Sequence, residues 1–204
     1  IGSGNVATQL GISLKENDCN IVQVWSKNIK NAQTLANKTQ SDYTDNISNL
    51  KAADLYIVAV KDDKITDILS KLNNIKIVHT SGSISIRSFK NKFLNCGIFY
   101  PLQTFNKNIK LDFNEIPICI EANNKSFEKQ LTHLGGKLSN KVFLMDSAQR
   151  NQIHIAAVFA SNFSNHMFAL ADNILEKSKI NFDILLPLIE QTVRKTKTNK
   201  PKKV

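Results

Sequence analysis

With 204 residues the chain is long enough for one large domain or two small ones, and 42% hydrophobic against 22% charged residues excludes a disordered or low-complexity protein. The formal charge of +10 invites a nucleic-acid reading, but six of those charges sit in residues 194–204, "RKTKTNKPKKV", leaving +4 for the rest. No aromatic residues interleave with that run as a base-stacking surface requires, which argues against a nucleic-acid partner.

In chain order, residues 5–16 read as a helix, 21–25 ("IVQVW") as a short β-branched strand and 28–37 as a second helix. Residues 54–60 ("DLYIVAV") form a continuous apolar run of the kind buried on both faces of a parallel sheet. An amphipathic stretch follows at 62–72, then strands at 75–80 ("IKIVHT"), 97–100 ("GIFY") and 116–121 ("IPICIE"), the last followed by a helix. This alternation predicts an α/β fold, a Rossmann-like doubly wound parallel sheet. Between 146 and 177 there is neither glycine nor proline, so one long helix is expected, broken at most once and capped by Asp146 or Ser147. A second helix is expected from Phe182 to about Lys195, with Pro187 as a bend. The boundary falls near 145: residues 1–144 as a dinucleotide-binding domain, and 145–204 as an all-α domain. A helix that long and apolar needs burial on several sides, which predicts further chain, a dimer partner, or both.

The opening "IGSGNVATQL" contains Gly2-x-Gly4-x-x-Ala7. In a strand–turn–helix unit the first glycine allows the tight turn, the second lets the backbone approach a pyrophosphate, and the small third residue permits close packing. The helix N-terminus then offers free N–H groups and a partial positive charge to the phosphates. Only Ile1 precedes the turn, so the strand it should follow is expected to be absent. At the end of the next strand an NAD site carries an acid for the ribose 2′-hydroxyl. This chain has Trp25-Ser26-Lys27-Asn28 there. Ser26 can donate to a 2′-phosphate and Lys27 can pair with it, which favours NADP over NAD.

Ligands in such sheets lie outside the carboxyl ends of the strands. That places Lys61, Asp62 and Asp63, then His79, Thr80, Ser81 and Gly82, then Pro101, Leu102 and Gln103 where a nicotinamide would sit. Asp62 serves equally well as a helix cap, and His79 as a core histidine. Ser81-Gly82 reads as a close backbone approach to ligand or protein. On the long helix, at 100° per residue, Arg150, His154, Ser161, Asn165 and Asp172 share one stripe. A polar stripe on an apolar helix needs partners: either substrate, which His154 would protonate while Asn165 orients it, or a neighbouring helix. Lys61 is the reserve proton donor, and Ser81 a second orienting group. There is no G-x-S-x-G elbow for a hydrolase. The four histidines have no metal spacing, and Cys19, Cys96 and Cys119 read as free thiols of a reducing cytoplasm. The longest apolar stretch, "IAAVFA" at 155–160, is far below the ~18 residues of a membrane span.

The string "GSGNVAT", "VWS", "DLYIVAVKDD", "IVHTSGS", "GIFYPLQTF", "IPICIEA" and "QRNQIHIAAVFASNFSNHMFAL" resembles a bacterial family of NADP-dependent oxidoreductases. Its members join an N-terminal Rossmann-like domain to an all-α domain of uncharacterised function. The family is distantly similar to pyrroline-5-carboxylate reductase, ketopantoate reductase and the deazaflavin-dependent NADP reductases. The resemblance implies NADP as cofactor and a homodimer formed through the helices. By motif, Gly2, Ser3, Gly4, Asn5 and Val6 would hold the pyrophosphate and Ser26 the adenine-side phosphate. Val60, Lys61, Ser81 and Gly82 would lie near the nicotinamide, with His154 and Asn165 facing the cleft. Both ends of the chain look shorter than the family pattern. Two functions follow as expectations: an NADPH-dependent reductase of a small oxo or imino compound, or a non-catalytic NADP-binding sensor or scaffold.

Overall fold

The computed structural model describes residues 1–198, so 199–204 of the basic run lie outside the described residues. The chain divides into two compact units, Ile1–Ile155 and Ala156–Val204. Among the described residues no helix is long and apolar enough to cross a membrane.

The first unit carries α1 (Asn5–Glu16), β1 (Gln23–Trp25), α2 (Ile29–Thr39), β2 (Asp42–Thr44), β3 (Tyr56–Val58) and α3 (Asp62–Ser70). It continues with β4 (Lys76–His79), β5 (Asn95–Pro101), β6 (Ile118–Ala122), α4 (Lys125–Leu138), β7 (Val142–Leu144) and most of α5 (Ser147–Ala157). β1 and β2 pair in parallel, and a five-stranded sheet runs β3-β4-β5-β6-β7. The α/β alternation is therefore as read, but the sheet is not wholly parallel: β6 runs antiparallel to β5. A parallel return needs a crossover, usually a helix. The connecting segment holds only the short 3-10 turn Phe113–Glu115 and folds over α1 instead.

The core follows from the period of two along a strand. Ile77 of β4 and Ile98 of β5 join Val58, Ile65, Ile68 and Leu69 beneath α3. Their neighbours Val78 and Phe99 point the other way, into a cluster with Leu10, Phe127, Leu131 and Leu138 from α1 and α4. All four strand residues are fully buried, which is why these strands are apolar throughout.

Ile1 and Gly2 lie between the two sheets. The Ile1 amine donates to Ile57 O, Ala59 N donates to Ile1 O and Gly2 N donates to Trp25 O, each at 2.8 Å. β3 is three residues long, shorter than the apolar run that encodes it.

Helix starts carry local caps. Asn28 Oδ1 accepts from Asn31 N, and Asn124 Oδ1 from Phe127 N. Asp146 caps α5 reciprocally: its Oδ1 accepts from Gln149 N, and Gln149 Oε1 accepts from Asp146 N.

In the second unit, Val158–Phe163 is a π-helix, followed by α6 (Ser164–Glu176), a 3-10 turn Phe182–Leu185 and α7 (Leu186–Thr198). Pro187 is the second residue of α7, where its missing N–H costs nothing, so it starts that helix rather than bending it. The π segment also removes the premise of a constant 100° per residue on which the His154–Asn165–Asp172 stripe was reckoned, because i→i+5 bonding changes the register. No described residue of this unit is buried within the chain, and Phe159, Phe163, Met167 and Ile174 are exposed apolar side chains.

Candidate functional site

The two turn glycines meet different demands. Gly2 adopts φ +121°, and a Cβ there would lie 2.8 Å from the Ala59 carbonyl carbon, closer still to its oxygen, and 3.3 Å from Val60 Cγ1. Its lack of a side chain is required by the protein itself. Gly4 has open space where its Cβ would be. It stands at the N-cap of α1, where no side chain caps the helix and no acid occupies the first turn. The first-turn amides, Asn5 and Val6 among them, therefore have no intrahelical partner. This is the arrangement that binds an anion.

Beside the turn, Ser3 Oγ donates to Ser26 Oγ at 2.8 Å. Ser26 also accepts from Asn28 N at 3.4 Å, so its own hydroxyl proton remains available to an acceptor. Lys27 is exposed and lies near α3: it contributes to holding the Asp67 carboxyl below the usual range, after the larger effect of Lys71. A depression of about 190 Å³ opens against Ser3 and Thr8, edged by Asn31, Lys38 and Lys107. Lys107 arrives on the segment that straps α1. There Gln9 Nε2 donates to Asn106 O and Ile109 O at 2.7 Å each, and Lys107 N donates to Asn5 Oδ1 at 3.3 Å.

At the ends of β3 and β4 the loops are tied together. Ser81 Oγ and Ser83 Oγ donate to Asp62 Oδ2 at 2.8 and 2.6 Å, and Ser81 Oγ accepts from the amides of Ser83 and Ile84 at 3.1 Å each. The Ser81 hydroxyl is thus fully committed within the protein. Asp62 is the first residue of α3 and takes these hydroxyls rather than its helix's own amides. Lys61, the N-cap residue, and Asp63 remain exposed. His79 is completely buried, its Nδ1 accepting from Ser81 N at 3.1 Å and its ring against Phe89. Burial, assisted by the Arg150 charge, lowers its pKa to about 3, so it is a neutral core histidine.

Gly82 resolves the close approach expected at Ser81-Gly82: the neighbour is protein. A Cβ at Gly82 would lie 2.6 Å from His154 Nδ1 and 2.8 Å from Tyr100 Cζ. Those two side chains hydrogen-bond to each other, Tyr100 Oη to His154 Nδ1 at 3.0 Å, with their rings edge to face. Burial raises the Tyr100 phenol to about 12. One helical turn before His154, the wholly buried Arg150 makes an ion pair with Glu121 and donates to Ile84 O at 2.6 Å and to Ser147 Oγ at 3.2 Å. Ser147 in turn donates to Glu121 Oε2 at 2.7 Å. This buried network fixes α5 against the loop that follows β4.

Residues 1–86 match the family described as NADP oxidoreductase, coenzyme F420-dependent, and residues 116–204 match a domain of unknown function, DUF2520. The crystal structure of a "putative NADP oxidoreductase" from Bacteroides fragilis is 40% identical over 99% of this chain and 80% of that one, with a TM-score of 0.92. The chain belongs to this NADP oxidoreductase family. A protein from Thermotoga maritima follows at 22% identity, covering 98% of this chain and 79% of that one, with a TM-score of 0.80. A 1-pyrroline-5-carboxylate reductase from Streptococcus pyogenes shares the fold at 15% identity, covering 96% of this chain and 76% of that one, with a TM-score of 0.71. No curated protein matches the chain.

The structure groups Gly2 with Val60, Ser3 with Ser26 and Ser81 with Asp62, and it gathers Gly82 and His154 around Tyr100. It does not bring Pro101, Leu102 or Gln103 into that group. Pro101 is buried in β5 against Ile118, Leu102 N is bonded to Pro117 O, and Gln103 is an exposed loop residue. Asn165 belongs to the second unit, on an exposed position of α6. Sequence reasoning passed over Tyr100, Lys107 and the Arg150–Glu121 pair. Tyr100 stands one residue before the strand-end triplet that was singled out, and a buried arginine has no sequence mark until its carboxylate is located.

Proposed function

We propose that this chain is an NADPH-dependent reductase of a small oxo or imino compound, with His154 as proton donor. The observation that carries the cofactor half is the open first turn of α1. Uncapped amides beside a glycine with free space above it suit a pyrophosphate, and the Ser3–Ser26 pair offers a hydroxyl proton where a 2′-phosphate would come. Asn5 and Val6 supply amides, Lys27, Lys38 and Lys107 supply positive charge, and Val60 and Lys61 flank the nicotinamide end. When bound, NADPH supplies the hydride.

The protein's part is to orient the substrate and to place a proton on the oxygen or nitrogen that receives the electron pair. His154, half-exposed, with Nδ1 held by Tyr100, has Nε2 free for that transfer. Lys61 is the alternative donor. Ser81, saturated by Asp62 and two amides, acts by shaping the loop rather than by touching substrate. The exposed apolar side chains Phe159, Phe163, Met167 and Ile174 favour a homodimer formed through the helical unit, and three free cysteines suit a reducing cytoplasm.

Calorimetry tests the cofactor half: NADPH should bind at least ~10-fold more tightly than NADH, and Ser26→Asp should erase that preference by like-charge repulsion. Absence of binding by either nucleotide refutes the reading. On a panel of small ketones, aldehydes and cyclic imines, His154→Gln should lose ~10²-fold or more in turnover with NADPH affinity retained.

A further inference from the structure

We infer that Tyr100 is the positioning residue for His154: its phenol holds Nδ1 so that Nε2 alone exchanges the proton with substrate. The inference rests on the proton-donor reading of His154 and deepens it.

Three observations carry it. The first is the Tyr100 Oη–His154 Nδ1 hydrogen bond of 3.0 Å, made by residues 54 positions apart in sequence. The second is the fit of Gly82 against both rings, so tight that a single methyl would strike His154 Nδ1 and Tyr100 Cζ together. A loop glycine that serves only to admit a side-chain pair fixes where that pair stands. The third is the anchoring of α5 by Arg150, bonded to Glu121 and Ile84 O one turn before His154. The backbone under His154 and the loop over it are thus both held.

A phenol suits this task better than a carboxylate. Its oxygen accepts from Nδ1–H when the ring is cationic, and still does so when Nε2 has given up its proton. The hydrogen bond therefore survives both halves of the proton cycle, and the ring keeps its aim. Burial keeps the phenol protonated throughout the working pH range, so it adds no charge of its own to the site. In the reductive direction the Nε2–H bond breaks as the substrate's O–H or N–H bond forms. The substrate's π electron pair takes the proton, the adjacent carbon being where NADPH, when bound, would supply hydride, and His154 is left as the neutral Nδ1–H imidazole. That proton stays bonded to Tyr100, and solvent reprotonates Nε2.

Ring ¹⁵N NMR of the histidines tests it without any substrate, the His154 resonances being identified by their loss in His154→Gln. In the unaltered protein neutral His154 should populate one tautomer predominantly. In Tyr100→Phe it should become a mixture of the two. Gly82→Ala, which keeps both polar groups but forces the rings apart, should mix the tautomers in the same way; thermal melts verify that both variants are folded. NADPH affinity by calorimetry should change less than twofold in Tyr100→Phe. An unchanged tautomer ratio in both variants overturns the inference even where NADPH binds normally. Failure of NADPH to bind the unaltered protein refutes the reductase reading instead and leaves the tautomer result to decide the hold of Tyr100 on His154.

Discussion

Alanine at the two turn glycines should separate stability from cofactor binding. At Gly2 the backbone has φ +121°, and an added Cβ would fall 2.8 Å from the Ala59 carbonyl carbon, well inside contact distance. Left-handed backbone strain costs of order 1–3 kcal/mol, and forcing the neighbouring chain aside adds about 1–3 kcal/mol. Gly2→Ala should therefore lose about 2–6 kcal/mol, which for a chain of this length is a fall in Tm of roughly 4–24 °C. Gly4 has φ −78° and ψ −170°, allowed for alanine, and nothing within 4 Å of its Cβ. Gly4→Ala should lose only about 0.5–1 kcal/mol, the usual penalty for alanine at an N-cap. The same methyl stands over the open amides of α1, so NADPH affinity should fall about 10- to 100-fold, a binding loss of roughly 1.4–2.8 kcal/mol. Differential scanning calorimetry gives the first quantity and titration calorimetry the second. A Gly4→Ala protein as destabilised as Gly2→Ala, or one that binds NADPH as the unaltered protein does, would refute the assignment of one glycine to the fold and the other to the cofactor.

Other perturbations address the interior and the second unit. Glu121→Ala leaves the buried Arg150 guanidinium without its counter-charge and should cost about 3–5 kcal/mol by denaturant titration; a loss below ~1 kcal/mol would mean that Arg150 finds water instead. His79 has a folded pKa of about 3 against 6.5 unfolded, so the unfolded chain binds the extra proton between those values. Its contribution is complete above pH 6.5 and is lost as pH falls toward 3; the stability slope over pH 6.5–4 should flatten in His79→Asn, whose amide oxygen can still accept from Ser81 N. Phe159→Asp combined with Met167→Lys should dissociate any dimer without changing the melting of the first unit, and identical sedimentation before and after substitution would place the oligomeric contact elsewhere.

The sequence by itself determined whatever depends on near neighbours. Asn5–Glu16 has the bounds read from its pattern, and the glycine turn, the missing acid after Trp25 and the cap at Asp146 were legible because each rests on residues within a few positions of one another. The Rossmann-like order of the first unit followed from the spacing of apolar runs. Only the tertiary structure decided matters that join distant segments. β6 turned antiparallel because the chain between β5 and β6 packs on α1 and forms no crossover helix. β2 and β7, three residues each, are too short for a periodicity and exist because a neighbouring strand offers its backbone. Gly82 looked as suited to a ligand as to protein, and that choice was made by Tyr100 and His154, brought together from another strand and a helix. Lys107 reached the turn across 102 positions through one hydrogen bond donated by its backbone N–H to Asn5 Oδ1. Local propensity fixes dihedral angles and element type. The partner of a buried polar group depends on the path of the whole chain, and in this protein those partners set which residues hold His154.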